Sequence, residues 1–550
     1  MRAPLIVLIC AYAIATVGFT FMPGVDDEGN PWRLSLFEAF YVVSYTGSTI
    51  GFGEVPYPFS PAQRMWTMVS IYLTVIAWLF SIGTIISLLQ DPAFRRSRQH
   101  ARFRREVRMI DQPFYLVCGF GDTGRMLTRA LTDQRQVVVV IDHNSDKIDA
   151  LGVETHRAPV VSACLDAGMP DNLIECGLRS RWCMAVIAVT GDDQTNLKIA
   201  VTTKLLNQRC QAMARADQKA VAENMRSFDT DLVVNPVEEY VRRMRLALAS
   251  PHAFRLYHWL KSGPDARLPE VRMPPDGHWV LCGFGRLGKA MHAMLRELKI
   301  EVTVIEEDDS LAGLPEGTVP GRGTQAETLL TAGLEHSVGI LATTRDDVDN
   351  LSILITARQI NPKLFSGVLE NGLSSHALFQ AAEPDFIAQP SRVIAGSVLA
   401  RIRSPLIADF IEQALSAGEP TCQAAIERLG SLQTDRPPEF MTLRISERRA
   451  PMLTRMIEAG EQVNIARLSA HPEQAGLRYG LLVLLLKRGG DSVPLPDDSL
   501  ELAVGDRLLL AGTLGATRRL QRLLQTDVPR ATGASQDAAT PAPDATRGRQ

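Results

Sequence analysis

The sequence predicts a two-span α-helical membrane domain, followed by two α/β domains with parallel sheets and a small α+β lobe. Two uncharged apolar segments, Leu5 to Met22 and Met65 to Leu89, are long enough to cross a bilayer. Further along, a strand, a glycine-rich turn and a helix occur twice, about 164 residues apart. Shorter β segments follow from about Phe440 and predict the lobe.

The two apolar segments contain 18 and 25 residues without a charge. A span of the hydrocarbon core needs about 17–25 such residues. The first segment also has features of a cleaved signal peptide, namely Arg2 and the tripeptide Ala11-Tyr12-Ala13. We favour a span, because the second segment and the loop between the two need a partner helix. Its short length leaves open whether residues precede Met1.

The distribution of charge predicts the orientation of the two spans. The loop between them has Arg33 as its single basic residue before Arg64, and its acids include Asp26, Asp27, Glu28 and Glu54. After the second span come Arg95, Arg96, Arg98, Arg102, Arg104, Arg105 and Arg108. The positive-inside rule then places both termini in the cytoplasm and residues 44–54 toward the outside. A nucleic-acid patch is the alternative for the arginine run, but contact with anionic lipid suits its juxtamembrane position better.

Residues 32–45, between the spans, are apolar and aromatic but too few to cross the membrane. They predict a re-entrant helix, which is tolerated at membrane depth when protein surrounds it. The C-terminal end of such a helix directs partial negative charge at a central cavity and favours a cation there. An extracellular amphipathic loop helix is the alternative.

The filter loop, residues 49–54, follows this helix and carries the candidate selectivity filter, which is Thr49, Ile50, Gly51, Phe52 and Gly53. Glycine reaches left-handed dihedrals without a steric cost, so alternating glycines let the backbone turn its carbonyl oxygens toward one axis. Four such strands would form oxygen rings that replace the hydration shell of K⁺. The Thr49 hydroxyl would add one further ring.

Each α/β domain opens with a dinucleotide-binding fingerprint that follows a strand, Phe114–Cys118 in the first copy and Trp279–Cys282 in the second. The candidate nucleotide-binding residues are Gly119, Phe120, Gly121, Asp122, Thr123, Gly124 and Arg125, and then Gly283, Phe284, Gly285, Arg286, Leu287 and Gly288. The G-x-G-x-x-G spacing places a pyrophosphate on the N-terminus of the following helix. Further apolar runs, among them Val137–Ile141 and Met184–Val189, complete a βαβ series and a parallel sheet.

An acidic residue ends the next strand in both copies, Asp142 and Glu306, each 21 positions after the second glycine. Such an acid hydrogen-bonds a ribose diol, which favours NAD or an adenosine nucleotide (ADP or ATP) over NADP. Arg286 and Lys289 add positive charge at the second site, whereas Asp122 makes the first less hospitable to phosphate. Arg125 partly offsets the charge of Asp122. The alternative for each copy is a fold retained without a ligand.

Composition and side-chain spacing exclude other classes. A net charge of −3 and 46% apolar residues argue against a nucleic-acid binder and a disordered chain. The eight scattered cysteines predict reduced structural thiols. The sequence has no recognisable catalytic set and no metal quartet, so we expect no enzyme. Two acidic clusters, Glu306–Asp309 and Asp346-Asp347-Asp349, leave Ca²⁺ open as a second ligand, with solvated loop acids as the simpler explanation.

The domain boundaries follow from these segments. We predict a pore domain over 1–92, a basic linker over 93–113, the two α/β domains over 114–262 and 278–420, a lobe over 440–525 and a disordered tail over 526–550. A linker rich in glycine and proline, Ser262 to Gly277, separates the α/β domains. In the lobe, Tyr479–Leu486 and Arg507–Ala511 are predicted strands and Asp491 to Asp497 a turn-rich stretch.

Together these features resemble the prokaryotic two-transmembrane potassium channels with tandem RCK (KTN, TrkA-N) domains and a TrkA-C-like lobe, over about residues 1–525. The most specific part is Ser-Thr-Ile-Gly-Phe-Gly-Glu at 48–54, which is similar to the family's Thr-Thr-Val-Gly-Tyr-Gly-Asp. Phe52 and Glu54 depart from the Tyr and Asp that brace the filter in many relatives. After the third strand of the first copy, Arg157-Ala158-Pro159 replaces the Gly-Asp that the family often has there. The second copy also departs from this motif, with Gly321-Arg322-Gly323.

The resemblance implies a helical pore domain with a re-entrant pore helix, two Rossmann-type RCK domains and a C-terminal lobe. It also implies a homotetramer in the inner (plasma) membrane, whose cytoplasmic ring of eight RCK units pulls on the pore helices when a ligand binds. Gly83 is a candidate gating hinge, and close helix packing is the alternative role. The predicted function is a nucleotide-gated K⁺ channel. A non-selective monovalent cation channel, a membrane-anchored NAD-dependent oxidoreductase and a regulatory subunit of a separate transporter are the alternatives.

Overall fold

The computed structural model describes residues 2–54, 56–90, 92–262, 272–432, 438–469 and 480–525. It consists of two compact units, Met1–Met109 and Ile110–Gln550. The predicted tail over 526–550 and most of the predicted linker between the α/β domains lie outside the described residues.

The first unit is helical. Its elements are α1 (Arg2–Phe21), β1 (Gly24–Val25), β2 (Pro31–Trp32), α2 (Leu36–Gly47), α3 (Pro61–Gln90) and α4 (Pro92–Arg108). Two stretches, Ala3–Phe21 and Pro61–Ser87, are long and apolar enough to cross a membrane, as predicted. The predicted basic linker is largely the helix α4.

The helix α2, which we predicted to be re-entrant, starts later than residues 32–45 suggested, because Trp32 pairs in the β1–β2 hairpin. Ser35 caps the helix in a capping box with Glu38, which satisfies the free N–H groups of the first turn. Val42 and Val43 of α2 are buried with Ala15 and Phe19 of α1. This packing fixes where the helix ends and therefore where the filter loop begins.

The first α/β copy is a six-stranded parallel sheet of order β5-β4-β3-β6-β7-β8. Its elements are β3 (Phe114–Cys118), α5 (Asp122–Asp133), β4 (Val137–Asp142), α6 (Ser145–Val153), β5 (Val160–Cys164), α7 (Pro170–Glu175), β6 (Cys183–Ala188), α8 (Asp193–Leu206), β7 (Gln211–Arg215), α9 (Lys219–Ser227) and β8 (Leu232–Val234). The strands predicted at Phe114–Cys118, Val137–Ile141 and Met184–Val189 are present as β3, β4 and β6. The edge strand β5 was missed, because its side chains are only half-buried and its sequence lacks a strong apolar run.

The position of β5 corrects one reading of the sequence. Arg157-Ala158-Pro159 precedes this third strand, so these residues do not replace the family's Gly-Asp after it. In the parallel register Asp142 pairs with Cys164, and Leu165-Asp166 come next. An aspartate therefore does follow the third strand of the first copy.

The second copy repeats this topology, with the sheet order β11-β10-β9-β12-β13-β14. Helices α10 and α11 connect the two sheets. The elements are α10 (Pro236–Ala249), α11 (Pro251–Ser262), β9 (Trp279–Cys282), α12 (Arg286–Glu297), β10 (Val302–Glu306), β11 (Val319–Pro320), α13 (Ala326–Thr331), β12 (Gly339–Ala342), α14 (Asp347–Ile360), β13 (Phe365–Leu369), α15 (His376–Ala382), β14 (Phe386–Ala388), α16 (Pro390–Arg403), α17 (Pro405–Ser416) and α18 (Glu419–Gly430).

Two helices, α10 and α16, each pack in the core of the opposite copy, and we call them the crossover helices. Helix α10 follows the first sheet, yet its Tyr240 and Met244 are buried in the core of the second. Helix α16 follows the second sheet, yet its Ile394 and Val398 are buried in the core of the first. Each copy therefore depends on the other for part of its apolar core.

The C-terminal lobe is an antiparallel sheet of order β15-β18-β16-β17. Its elements are β15 (Glu439–Arg444), α19 (Pro451–Glu458), α20 (Ile465–Ser469), β16 (Leu481–Arg488), β17 (Asp491–Pro494), β18 (Arg507–Gly512) and α21 (Leu514–Gln525). The prediction of a turn-rich stretch from Asp491 to Asp497 is wrong over its first four residues, because they form β17. The lobe shares a core with the preceding helices, because Leu484 and Leu509 are buried together with Trp259 and Phe410.

Candidate functional site

The filter loop has the backbone shape that its glycines suggested. Gly51 and Gly53 have φ angles of +65° and +101°, in the region that favours glycine. Thr49 has a φ of +60°, which sequence reasoning did not foresee and which costs a residue with a Cβ about 1–3 kcal/mol. The N–H groups of Ile50 and Gly51 both donate to the carbonyl oxygen of Tyr45, at 2.9 and 3.3 Å. The loop is thus anchored to the end of α2.

Two side chains that sequence reasoning missed brace this loop. The Tyr45 hydroxyl donates to the carbonyl oxygen of Gly53 at 2.6 Å. Arg64 binds Glu54 in a bidentate pair at 2.8 and 3.1 Å, and Glu54 also accepts from the Phe59 N–H at 2.7 Å. Such charge-assisted pairs are geometrically specific. A signal for Tyr45 existed, because Phe52 lacks the hydroxyl that braces the filter in relatives while a tyrosine stands near the end of α2.

Replacing Tyr45 with Phe removes the hydrogen bond to Gly53 and keeps the ring contacts with Phe52. A single hydrogen bond contributes about 0.5–1.5 kcal/mol. We therefore expect the K⁺ flux of the reconstituted protein to fall roughly 2- to 10-fold. Tyr41→Phe is the matched control, because Tyr41 also packs on Phe52 and its hydroxyl has no hydrogen bond within the described residues. Equal fluxes from the two variants would contradict the bracing role.

Gly83, the candidate hinge, lies on an exposed face of α3. A Cβ built on it would meet no atom within 4 Å. Close packing against the described residues therefore does not explain this glycine, and its role as a hinge stays a prediction.

The glycines of each fingerprint have three different surroundings. A Cβ on Gly119 or Gly283 would lie 2.9 or 3.0 Å from the backbone of the neighbouring strand end, and both glycines have positive φ angles. A Cβ on Gly124 or Gly288 would lie 2.0 or 2.1 Å from a carbonyl oxygen of the turn. The middle glycines, Gly121 and Gly285, face open space. This is the arrangement that lets a pyrophosphate approach the backbone at the second glycine.

The acids at the strand ends hold the fingerprint turns. Asp142 is buried and accepts from the N–H groups of Phe120 at 2.7 Å and Asn144 at 2.9 Å. Glu306 accepts from Phe284 at 2.5 Å and from the two residues that follow it at 3.0 and 3.2 Å. Each carboxylate oxygen has two lone pairs, so both acids can also accept ribose hydroxyls.

A cavity of about 270 Å³ lies at the second fingerprint. Its lining residues include Gly283, Gly285, Glu306, Arg322 and Arg345. The charge at this site therefore differs from the sequence-based expectation. Arg286 extends to Asp217 of the first copy at 3.3 Å, and Lys289 donates to the Ala312 carbonyl oxygen at 2.8 Å.

The remaining fingerprint residues of both copies are structural or paired. Thr123 and Leu287 are buried in their helices. Arg125 pairs with Glu154 at 3.0 Å and lies over the Phe120 ring. Arg125 therefore has a carboxylate partner, which weakens the expectation that it offsets Asp122.

The two fingerprints also contact each other's copy. Asp122 accepts from the N–H of Leu373 in the second copy at 3.1 Å. Arg286 of the second fingerprint contacts Asp217 in the first copy. Burial alone would raise the pKa of the Asp217 carboxyl, but Arg215 and Arg286 outweigh it and hold that pKa below its ordinary value. Asp217 was missed, because only the tertiary structure brings it to Arg286.

The acidic clusters act mostly as caps. Asp346 caps α14 through the N–H groups of Val348 and Asp349, and Asp347 accepts from those of Asn371 and Gly372. Across the described ranges, no three His, Cys, Asp or Glu side chains are grouped so that they could hold a metal ion. The Ca²⁺ reading thus gains no support from the geometry.

Comparison with known protein families assigns most of the chain. Residues 6–91 match an ion channel domain, residues 115–236 and 279–377 match TrkA-N domains, and residues 473–525 match a TrkA-C domain. The predicted fold class is confirmed, with a helical pore region followed by parallel Rossmann-like sheets and a C-terminal lobe.

Individual relatives are distant. An uncharacterized protein of Methanothermus fervidus is 26% identical over 41% of this chain and 34% of its own length. Potassium channel protein 1 of Methanocaldococcus jannaschii is 22% identical over 50% of this chain and 72% of its own. The structure of the GsuK channel bound to NAD is 17% identical and covers 94% of this chain and 97% of its own, with a TM-score of 0.45. The chain thus spans about a third of the first of these relatives.

Proposed function

We propose that this chain, which joins an ion channel domain to two TrkA-N domains and a TrkA-C domain, is the subunit of a nucleotide-gated potassium channel. The observation that carries the proposal is the filter loop. It lies between two helices that can span a membrane, has left-handed dihedrals at both glycines and is braced by Tyr45 and Arg64. A relative that shares half of this chain is named a potassium channel protein, which supports the same reading.

Permeation needs several copies of the chain. One loop offers a single column of carbonyl oxygens, whereas replacing the water shell of K⁺ takes rings of four. We therefore propose a homotetramer around one pore. Ile50 and Phe52 are more than half exposed in the single chain, as are several apolar residues of α3, such as Met65 and Tyr72. Lipid and neighbouring subunits would cover these surfaces.

The charges suit an inner-membrane protein with both termini in the cytoplasm. Arg98, Arg102, Arg104, Arg105 and Arg108 of α4 follow the second span, and the positive-inside rule assigns them to the cytoplasm. The TrkA-N domains then lie in the compartment that contains NAD and adenosine nucleotides.

Gating is assigned to the fingerprints, with the second copy as the principal site. Its cavity combines the open backbone of Gly285 with Arg345, which supplies positive charge for phosphate, and with Arg322, whose guanidinium pairs with Glu307 at 2.8 Å. Glu306, Glu307 and Asp308 also line it and would repel the 2′-phosphate of NADP. We therefore propose NAD or an adenosine nucleotide as the regulatory ligand. We do not propose Ca²⁺ as a ligand, because the Asp346 and Asp347 carboxylates accept hydrogen bonds from backbone N–H groups.

Ion flux from liposomes tests the function. Purified protein in K⁺-loaded liposomes should release K⁺ at least 10-fold faster than Na⁺, and NAD or ADP should change the K⁺ rate in a saturable manner. Equal K⁺ and Na⁺ rates would instead identify a non-selective cation channel. Turnover of NADH with a small substrate, without ion flux, would identify an oxidoreductase.

A further inference from the structure

A second and larger cavity, of about 550 Å³, lies between the crossover helices. Its walls come from α5, α10, α11, α15, β14 and α16, and we call it the crossover cavity. Fingerprint residues do not line it. Its volume falls within the range of about 300–1,000 Å³ that is typical of small-molecule sites. The aromatic side chains of Phe254, Tyr257 and Phe386 form part of its walls.

Two of the three cations that line this cavity are balanced. Lys261 pairs with Glu239 at 2.7 Å. Arg392 donates to His376 Nε2 at 3.0 Å, and because arginine is only a donor, the His376 proton lies on Nδ1. That Nδ1–H donates to the fully buried Glu370 carboxylate at 3.1 Å. A chain of hydrogen bonds thus links the Arg392 guanidinium to the Glu370 carboxylate through His376.

Arg243 is the third cation, and the carboxylate that acts on its charge is Glu239, which already pairs with Lys261. Within the described part of the chain, its guanidinium makes no ion pair and no hydrogen bond, and it lies 5.3 Å from the centre of the Phe386 ring. Burial lowers the pKa of Arg243, as expected for a charge removed from water. Burial also lowers the pKa of His258 to about 4, so this neighbour is neutral near pH 7.

A second polar group in the cavity wall is also unsatisfied. Gln389 is 4% exposed and donates from Nε2 to Glu370 at 2.6 Å. Its Oε1 has no hydrogen-bond partner among the described residues. A buried acceptor without a partner costs about 1–3 kcal/mol, which a ligand with a donor group would recover.

We propose that the crossover cavity binds a small organic anion, with an apolar body against the aromatic walls and a carboxylate or phosphate on Arg243. A hydroxyl or amide on the same molecule satisfies Gln389. Because α10 and α16 each contribute to the core of the opposite copy, a ligand that contacts both helices stabilises the exchanged arrangement. The site is independent of the fingerprints and of the nucleotide proposed for them.

Calorimetry on the full-length protein in detergent tests this site with three probes of one shape, namely 1-naphthyl phosphate, 1-naphthoate and uncharged 1-naphthol. We expect at least one anion to bind at least 10-fold more tightly than naphthol, and the preferred anion identifies the head group. Arg243→Gln should weaken binding of that anion roughly 10- to 100-fold, as expected for a charge-assisted hydrogen bond. Arg245→Gln is the matched control, because Arg245 lies on the same helix but pairs with Glu297 outside the cavity.

A second variant keeps the charge of Arg243 and reduces the volume of the crossover cavity. A Cβ on Gly396, which lines the cavity, would meet no atom within 4 Å, so Gly396→Leu should fold and block the probe. Leucine also has a better helix propensity than glycine. The proposal is overturned if neither anion binds, if naphthol binds as tightly as the anions, or if Arg243→Gln and Gly396→Leu both bind like the unchanged protein.

Discussion

Replacing Gly53 with Ala should abolish K⁺ flux and leave the assembly of subunits intact. Gly53 has a φ of +101°, and no atom lies within 4 Å of a Cβ built on it, so the penalty comes from the backbone angle and not from a clash. Such a conformation costs a residue with a Cβ about 1–3 kcal/mol. In a tetramer the penalty applies to each of the four loops. Relaxation of the backbone would turn the Gly53 carbonyl away from Tyr45 and from the proposed ion path.

Gly29→Ala is the control for this substitution. Gly29 has a φ of +89° and equally open surroundings, but it lies in the Asp26–Asn30 turn of the same unit. Flux from liposomes, together with the mass of the complex in detergent, separates conduction from assembly. Normal flux in Gly53→Ala, or an equal loss in Gly29→Ala, would show that residues 49–54 are not the filter.

Removal of the Glu306 carboxylate should give the second large effect, which is on nucleotide affinity. Glu306 accepts hydrogen bonds from the N–H groups of Phe284, Glu307 and Asp308. Its carboxylate can also accept a ribose hydroxyl. A hydrogen bond to a charged group contributes about 1.5–3 kcal/mol. Glu306→Ala should therefore weaken NAD binding, measured by calorimetry, roughly 10- to 100-fold.

Two further variants show whether the effect is specific to this site. Glu301→Ala removes the same charge from an exposed position just before β10 and should leave the affinity unchanged. Asp142→Ala tests the first copy and should have a smaller effect than Glu306→Ala, because Arg322 and Arg345 belong to the second cavity. If the heat of NAD binding is unchanged in both Glu306→Ala and Asp142→Ala, these carboxylates do not bind the ribose. A larger loss with Asp142→Ala would move the principal site to the first copy.

Local patterns in the sequence predicted the spans, the two glycine-rich turns and the strands next to them in the correct order. Uncharged length predicted both spans, and the glycine spacing predicted the two Rossmann turns, since these features depend on residues close together in the chain. The half-buried edge strand β5 escaped detection, and Arg157-Ala158-Pro159 was consequently placed after the wrong element. The interior strands β7 and β13 were not predicted either. The charge of the second site was assigned to Arg286, although Arg322 and Arg345 line that cavity from turns whose course a fingerprint does not encode.

The sequence by itself identified the candidate filter residues, both fingerprints and the acids that end the second strands, because backbone angles and strand ends are set by neighbouring residues. Only the tertiary structure decided that Tyr45 and Arg64 brace the loop, that Arg286 contacts Asp217 of the other copy, and that Arg243 lines the crossover cavity without an ion pair to any described residue. The crossover helices give the physical reason. Apolar burial has no direction and does not specify which of two similar cores a helix enters, so the exchange of α10 and α16 follows from packing of the whole second unit.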